Sequence, residues 1–115
     1  MNNSRDFDYV INNALKLIKN KSSYKDYIFF KDKLSQDKTL YLKVKSLKEM
    51  QYEYIINTDD KNKQFIKSNI DNLYSELMLS DLARGFLNSE RNIVKELTLL
   101  FQGMISNLQI NLDLI

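Results

Sequence analysis

The chain has 115 residues, a net charge of +2, and no cysteine, histidine or proline. The missing thiols and imidazoles exclude disulfides, thiolate metal sites, ordinary zinc sites and both Ser-His-Asp and Cys-His catalysis. Its two glycines, Gly85 and Gly103, can supply neither a glycine-rich phosphate loop nor the many turns of an all-β fold. The expectation is an all-α fold, with residues 1–115 as a single all-helical domain large enough to bury roughly two-thirds of its unfolded surface.

Five helices follow from the spacing of apolar residues, over about 6–20, 23–35, 38–56, 60–79 and 81–109. The first carries Phe7, Val10, Ile11, Ala14, Leu15 and Ile18 on one face, with Ser4 or Asp6 as a cap. The second follows the polar break Asn20 to Ser23. It holds Tyr24, Tyr27, Ile28 and Leu34 on its stripe, widened by Phe29 and Phe30, with Ser22 or Ser23 as cap.

Asp37 is placed to cap the third helix. Leu40, Val44, Leu47, Gln51 and Tyr54 recur there at the 4-3-4-3 spacing of a bundle seam. Asn57 to Asp60 form the clearest loop, and Thr58 or Asp59 can accept the free N–H groups of the next turn. The fourth helix aligns Ile66, Ile70, Leu73 and Leu77, flanked by Phe65, Tyr74 and Met78.

Ser80 and Asp81 offer a cap for the long last helix, which carries Leu82, Phe86, Glu90, Ile93, Leu97, Leu100, Met104 and Leu108. Its two glycines each weaken it by about 1 kcal/mol relative to alanine, unless another helix comes close there. The tail Ile110 to Ile115 is apolar without a clear period. The short loops favour antiparallel neighbours, hence a five-helix antiparallel bundle with a long C-terminal helix. That helix would span roughly 43 Å at 1.5 Å per residue. A compact globule of this length is only about 34 Å across. The overhang points to a second subunit and an intertwined helical homodimer. Phe86, Glu90, Ile93, Leu97 and Leu100 are its expected interface residues.

Candidate chemistry is sparse. Asp59-Asp60 could do acid–base work or hold a hard cation, but the pair lacks the further ligands of a calcium loop, and capping is the ordinary role. Glu90 interrupts the apolar stripe of the last helix. Burial raises a carboxylate pKa and marks catalytic candidates, yet no second acid accompanies it. A buried glutamate satisfied by a polar mate such as Gln51 would instead fix helix register. No catalytic, cofactor-binding or metal-binding residue is expected.

Charge is uneven along the chain. Ten lysines lie between Lys16 and Lys48 against Asp26, Asp32 and Asp37. From Asp71 onward six acids face Arg84, Arg91 and Lys95. Tyr24-Lys25-Asp26-Tyr27 and Lys43-Val44-Lys45 could bind phosphates and stack bases, as could Tyr52, Tyr54 and Tyr74 nearby. Such tyrosines are more often core or interface residues, and the region lacks arginine. A helical nucleic-acid-binding protein using Lys16–Lys48 is therefore the alternative function. Lysine outnumbers arginine 14 to 3, and Asn and Ile are abundant, which suggests an AT-rich genome. The polar start and the short apolar runs predict a cytoplasmic protein without membrane insertion.

The order of residues resembles a known family. An apolar first helix, Val10 to Ile18, precedes Ser23-Tyr24 and Tyr27, then Lys31, Leu34, Asp37 and Leu40, then Val44, Leu47, Lys48 and Gln51. Leu82, Phe86-Leu87 and Glu90 form a Phe-x-x-x-Glu step, and Leu108 to Leu114 an apolar ending. Over Val10 to Leu114 these diffuse spacings resemble the YlbF/YmcA family of small helical bacterial regulators. The resemblance implies a non-enzymatic, intertwined helical oligomer. It also implies a regulatory or adaptor role in competence, sporulation or biofilm formation, or beside an mRNA-processing ribonuclease complex. Some such proteins carry cysteines associated with an iron–sulfur cluster. This chain has none, so that cofactor does not transfer.

Overall fold

A computed structural model describes residues 3–108, with side chains from residue 6. Five helices fill the described chain: α1 (Asn3–Lys19), α2 (Ser22–Gln36), α3 (Lys38–Ile56), α4 (Asp60–Leu77) and α5 (Asp81–Asn107). No strand occurs among the described residues. The tail expected to be apolar, Ile110 to Ile115, lies outside them, as does Gln109 at the expected end of the last helix.

Capping sets most boundaries. Asp37 is extended and its Oδ1 accepts from the Leu40 N–H at 3.0 Å, which opens α3. Asp59 does the same for α4 through the Lys61 N–H at 3.1 Å, and the Asn57 side chain accepts from the Asp59 N–H at 3.0 Å. Ser80 Oγ accepts from the Ala83 N–H at 3.2 Å and opens α5. The fourth helix stops at Leu77, two residues before the expected end. Leu79 and Ser80 donate to the carbonyls of Glu76 and Leu77 in a tightened last turn, and Arg84 donates to the Met78 carbonyl.

Two expected caps differ. The first helix already runs at Asn3, so Ser4 and Asp6 lie inside it, and Asp6 favours its N-terminal dipole instead. The second begins at Ser22, after the Lys21 carbonyl accepts from the Lys25 N–H. Ser22 and Ser23 are therefore in its first turn rather than at its cap.

The chain divides into two compact units. One spans Phe29–Leu87: the end of α2, all of α3 and α4, and the start of α5. Here α3 and α4 form an antiparallel hairpin. Lys43, early in α3, pairs with Glu76, late in α4, while Tyr54, late in α3, lies 4.8 Å beneath the Lys63 ammonium, early in α4. Leu34, Val44, Leu47, Leu77, Ala83 and Phe86 form the buried core. Gln51, expected on the α3 seam, is exposed instead. The buried stripe of α3 runs through Val44 and Leu47 to half-buried Met50 and Tyr54, while Gln51, polar and one turn beyond Leu47, keeps its amide in water, as an unpaired buried amide would be costly.

The other unit joins the chain up to Ile28 with the chain from Asn88 onward, and so holds α1, the first turns of α2 and the distal part of α5. Among the described residues, Ser23, Ser89 and Ile93 are buried here. Among the described side chains of α1, only Ala14 and Ile18 are even half-buried, whereas Phe7, Val10, Ile11 and Leu15 of the same predicted stripe are exposed.

Candidate protein interaction surface

Glu96 is the polar centre of the second unit. Its Oε2 accepts from Ser23 Oγ at 2.8 Å and lies 3.8 Å from Lys21 Nζ. Ser23 thus ties the first turn of α2 to α5. Sequence spacing reads Ser23 only as a cap, because a residue 73 positions away leaves no periodic signal.

Beside Glu96 runs an apolar groove of about 720 Å³. Ala14, Leu17 and Ile18 of α1 line one wall, and Ile93, Leu97 and Leu100 of α5 the other. Asn20, Lys21 and Glu96 give the groove its polar rim. Its floor is closed by Ile93, which is only 7% exposed. Its lips are open: Leu97 is 42%, Leu100 45% and Leu17 70% exposed.

The five expected interface residues separate into two groups. Phe86 belongs to the Phe29–Leu87 unit, where it is 6% exposed and lies 5.9 Å from the Lys48 ammonium. Glu90 is half-buried and Ile93 buried in the other unit. Leu97 and Leu100 keep their side chains open and continue into exposed Phe101, Met104 and Leu108. Leu17 and Leu99 are further open apolar residues here, and neither falls on the predicted stripes. A run of four apolar residues, Leu97 to Phe101 broken only by Thr98, is the signal that a single-stripe reading passes over.

The lysine-rich stretch is shared between the units, with Lys16 to Lys25 in one and Lys31 to Lys48 in the other. Lys21 faces Glu96, Lys43 faces Glu76, and Lys33 lies over the Phe29 ring at 5.8 Å. Tyr24 and Tyr27 are half-buried, which turns part of each ring away from solvent. Asp59 spends a carboxylate oxygen on capping, and among the described residues no three acidic side chains gather where they could hold a metal ion. No described helix is long and apolar enough to cross a membrane.

Comparison with protein-family models, with curated proteins and with solved structures finds no match.

Proposed function

We propose that this chain is a non-enzymatic regulatory or adaptor protein that works by protein–protein association. In this proposal the five helices form an antiparallel bundle that assembles as an intertwined homodimer. One observation carries it: α1 and the distal half of α5 hold their apolar residues open to solvent. Val10, Leu17, Leu97, Leu100, Phe101 and Met104 would each gain on the order of 1 kcal/mol or more from full burial. Leu17, Leu97 and Leu100 line one groove, and open apolar surface gathered in this way supports an interaction role.

The absence of cysteine and histidine from the sequence narrows what such a protein could catalyse, and supports the non-enzymatic reading. The likeness in residue order to small bacterial regulators supplies the cellular setting: competence, sporulation or biofilm control, or service beside an mRNA-processing ribonuclease complex. A cytoplasmic location belongs to the same proposal.

Light scattering on purified protein across the micromolar range tests it first. A dimer mass, or a mass that rises with concentration, supports the reading. Tagged wild type and a Leu97→Glu variant, recovered from the native cell, then show whether any protein partner depends on the open face. A monomer that retains no partner overturns the proposal.

A further inference from the structure

We propose that the tail Ile110 to Ile115 folds back along α5 and lays Ile110, Leu112 and Leu114 over its groove side, so that the chain's own end covers the open lip of the groove. This goes beyond the homodimeric reading and does not depend on it.

The groove side of α5 is an open apolar track. At 3.6 residues per turn, Ile93, Leu97, Leu100, Met104 and Leu108 fall within about 80° of one another around the helix. Leu108 keeps that register, since its N–H still donates to the Met104 carbonyl at 3.0 Å. The first three line the groove. Leu97, Leu100, Met104 and Leu108 are between 42% and 69% exposed, so the track stays open from the groove to the point where the chain leaves the helix. The polar residues Thr98, Gln102 and Ser106 stand on the far side.

The tail carries the matching pattern. It shows no helical spacing, but from Leu108 onward apolar and polar residues alternate: Leu108, Ile110, Leu112 and Leu114 against Gln109, Asn111 and Asp113. In an extended chain, alternate residues take opposite faces. An extended tail therefore sets three aliphatic side chains against the track and turns Asp113, the only charge after Glu96, to water.

Reach identifies the occupant as this chain's own tail. From Leu108 back to Leu100 the helix rises only about 12 Å at 1.5 Å per residue. The stretch from Leu108 to Leu114 spans up to roughly 20 Å when extended. The surplus allows a reversal of direction at the helix end and brings Leu114 level with Leu100. A segment on so short a tether meets its site at an effective concentration on the order of millimolar. In micromolar protein it reaches Leu97 and Leu100 ahead of a second copy, which joins there only after the tail leaves.

Disulfide trapping in the full chain tests this, because the sequence holds no cysteine to interfere. Two double variants are compared in dilute protein: Leu100→Cys with Leu114→Cys, and Thr98→Cys with Leu114→Cys. Residues 98 and 100 are both exposed and almost equally far from 114 along the chain, but they face opposite sides of α5. Circular dichroism checks that both variants keep the wild-type helicity. A docked tail should close the Leu100 pair within one chain at least about tenfold faster than the Thr98 pair, and adding Leu112→Asp should erase the difference. Equal rates overturn the proposal, whatever the mass of the wild type. A disulfide that forms only between two chains overturns it too, and gives the groove to the tail of a second copy. Faster closure in a protein that light scattering finds monomeric keeps the docked tail and removes the homodimer.

Discussion

The Phe30 ring lies where a Cβ on residue 85 would stand, so α2 and α5 meet inside the Phe29–Leu87 unit over a glycine. Helix propensity alone says that Gly85→Ala should stabilise the protein by about 1 kcal/mol. The contact says the opposite. Phe30 is half-buried and edge-on to Phe29, with ring centroids 5.3 Å apart, so it cannot move aside freely. Overpacking of this kind costs about 1–3 kcal/mol.

Gly85→Ala is therefore expected to lower stability in urea denaturation, and combining it with Phe30→Ala should recover part of the loss. The coupling energy of the double-mutant cycle should fall at about 0.5–3 kcal/mol. Additive effects would show that the ring yields at no cost.

The helices were legible because nothing in the chain competes with them. There is no proline, and Asp37, Asp59 and Ser80 stand at real caps. Apolar period located Leu34, Val44, Leu47, Leu77 and Phe86, all of which are buried. The same rule named Phe7, Val10 and Leu15, which are exposed. Period reports that a residue wants cover, and says nothing of which chain provides it. Contacts between distant residues were not legible at all: Ser23 with Glu96, or Phe30 over Gly85, join positions with no shared period.

Ser23→Ala separates a tertiary hydrogen bond from a cap. Ser23 is buried and donates to a carboxylate, a bond worth about 1.5–3 kcal/mol when the acceptor is charged. Glu96 keeps its ion pair with Lys21, and both side chains are more than a third exposed, which holds the loss toward the lower figure. Ser22→Ala, one residue earlier and exposed, should change stability by less than about 0.5 kcal/mol. Equal effects at the two serines would mean that the bond to Glu96 contributes nothing.

Asp37→Ala and Asp59→Ala should each cost about 1 kcal/mol, because each removes a side-chain acceptor from a free helical N–H. The sites are far enough apart in sequence and function to act independently, so the double variant should lose about 2 kcal/mol. Asp60→Ala, which makes no capping bond and only favours the helix dipole, should cost no more than about 0.3–1 kcal/mol. Guanidinium titration of the three variants gives the comparison, and a larger loss at Asp60 than at Asp59 would contradict the cap assignment.

Leu97 and Ile93 lie one turn apart on α5, line the same groove, and differ in burial, at 42% and 7% exposed. That contrast separates folding from assembly. A glutamate at Ile93 would replace a buried apolar side chain, 7% exposed, with a carboxylate that has no cationic partner there. It should cost several kcal/mol and unfold the chain whether or not a second copy is present. A glutamate at Leu97 can reach solvent in the single chain, so the monomer should keep its helicity. In a dimer built on this face the same carboxylate would be buried unpaired, and association should weaken by several kcal/mol. The expected pair of results is a folded monomer for Leu97→Glu and an unfolded or strongly destabilised chain for Ile93→Glu, read by light scattering and circular dichroism together. Loss of helicity at Leu97→Glu in dilute protein would place that side chain in the chain's own core. A Leu97→Glu variant that still dimerises at the wild-type concentration would move the interface off this face.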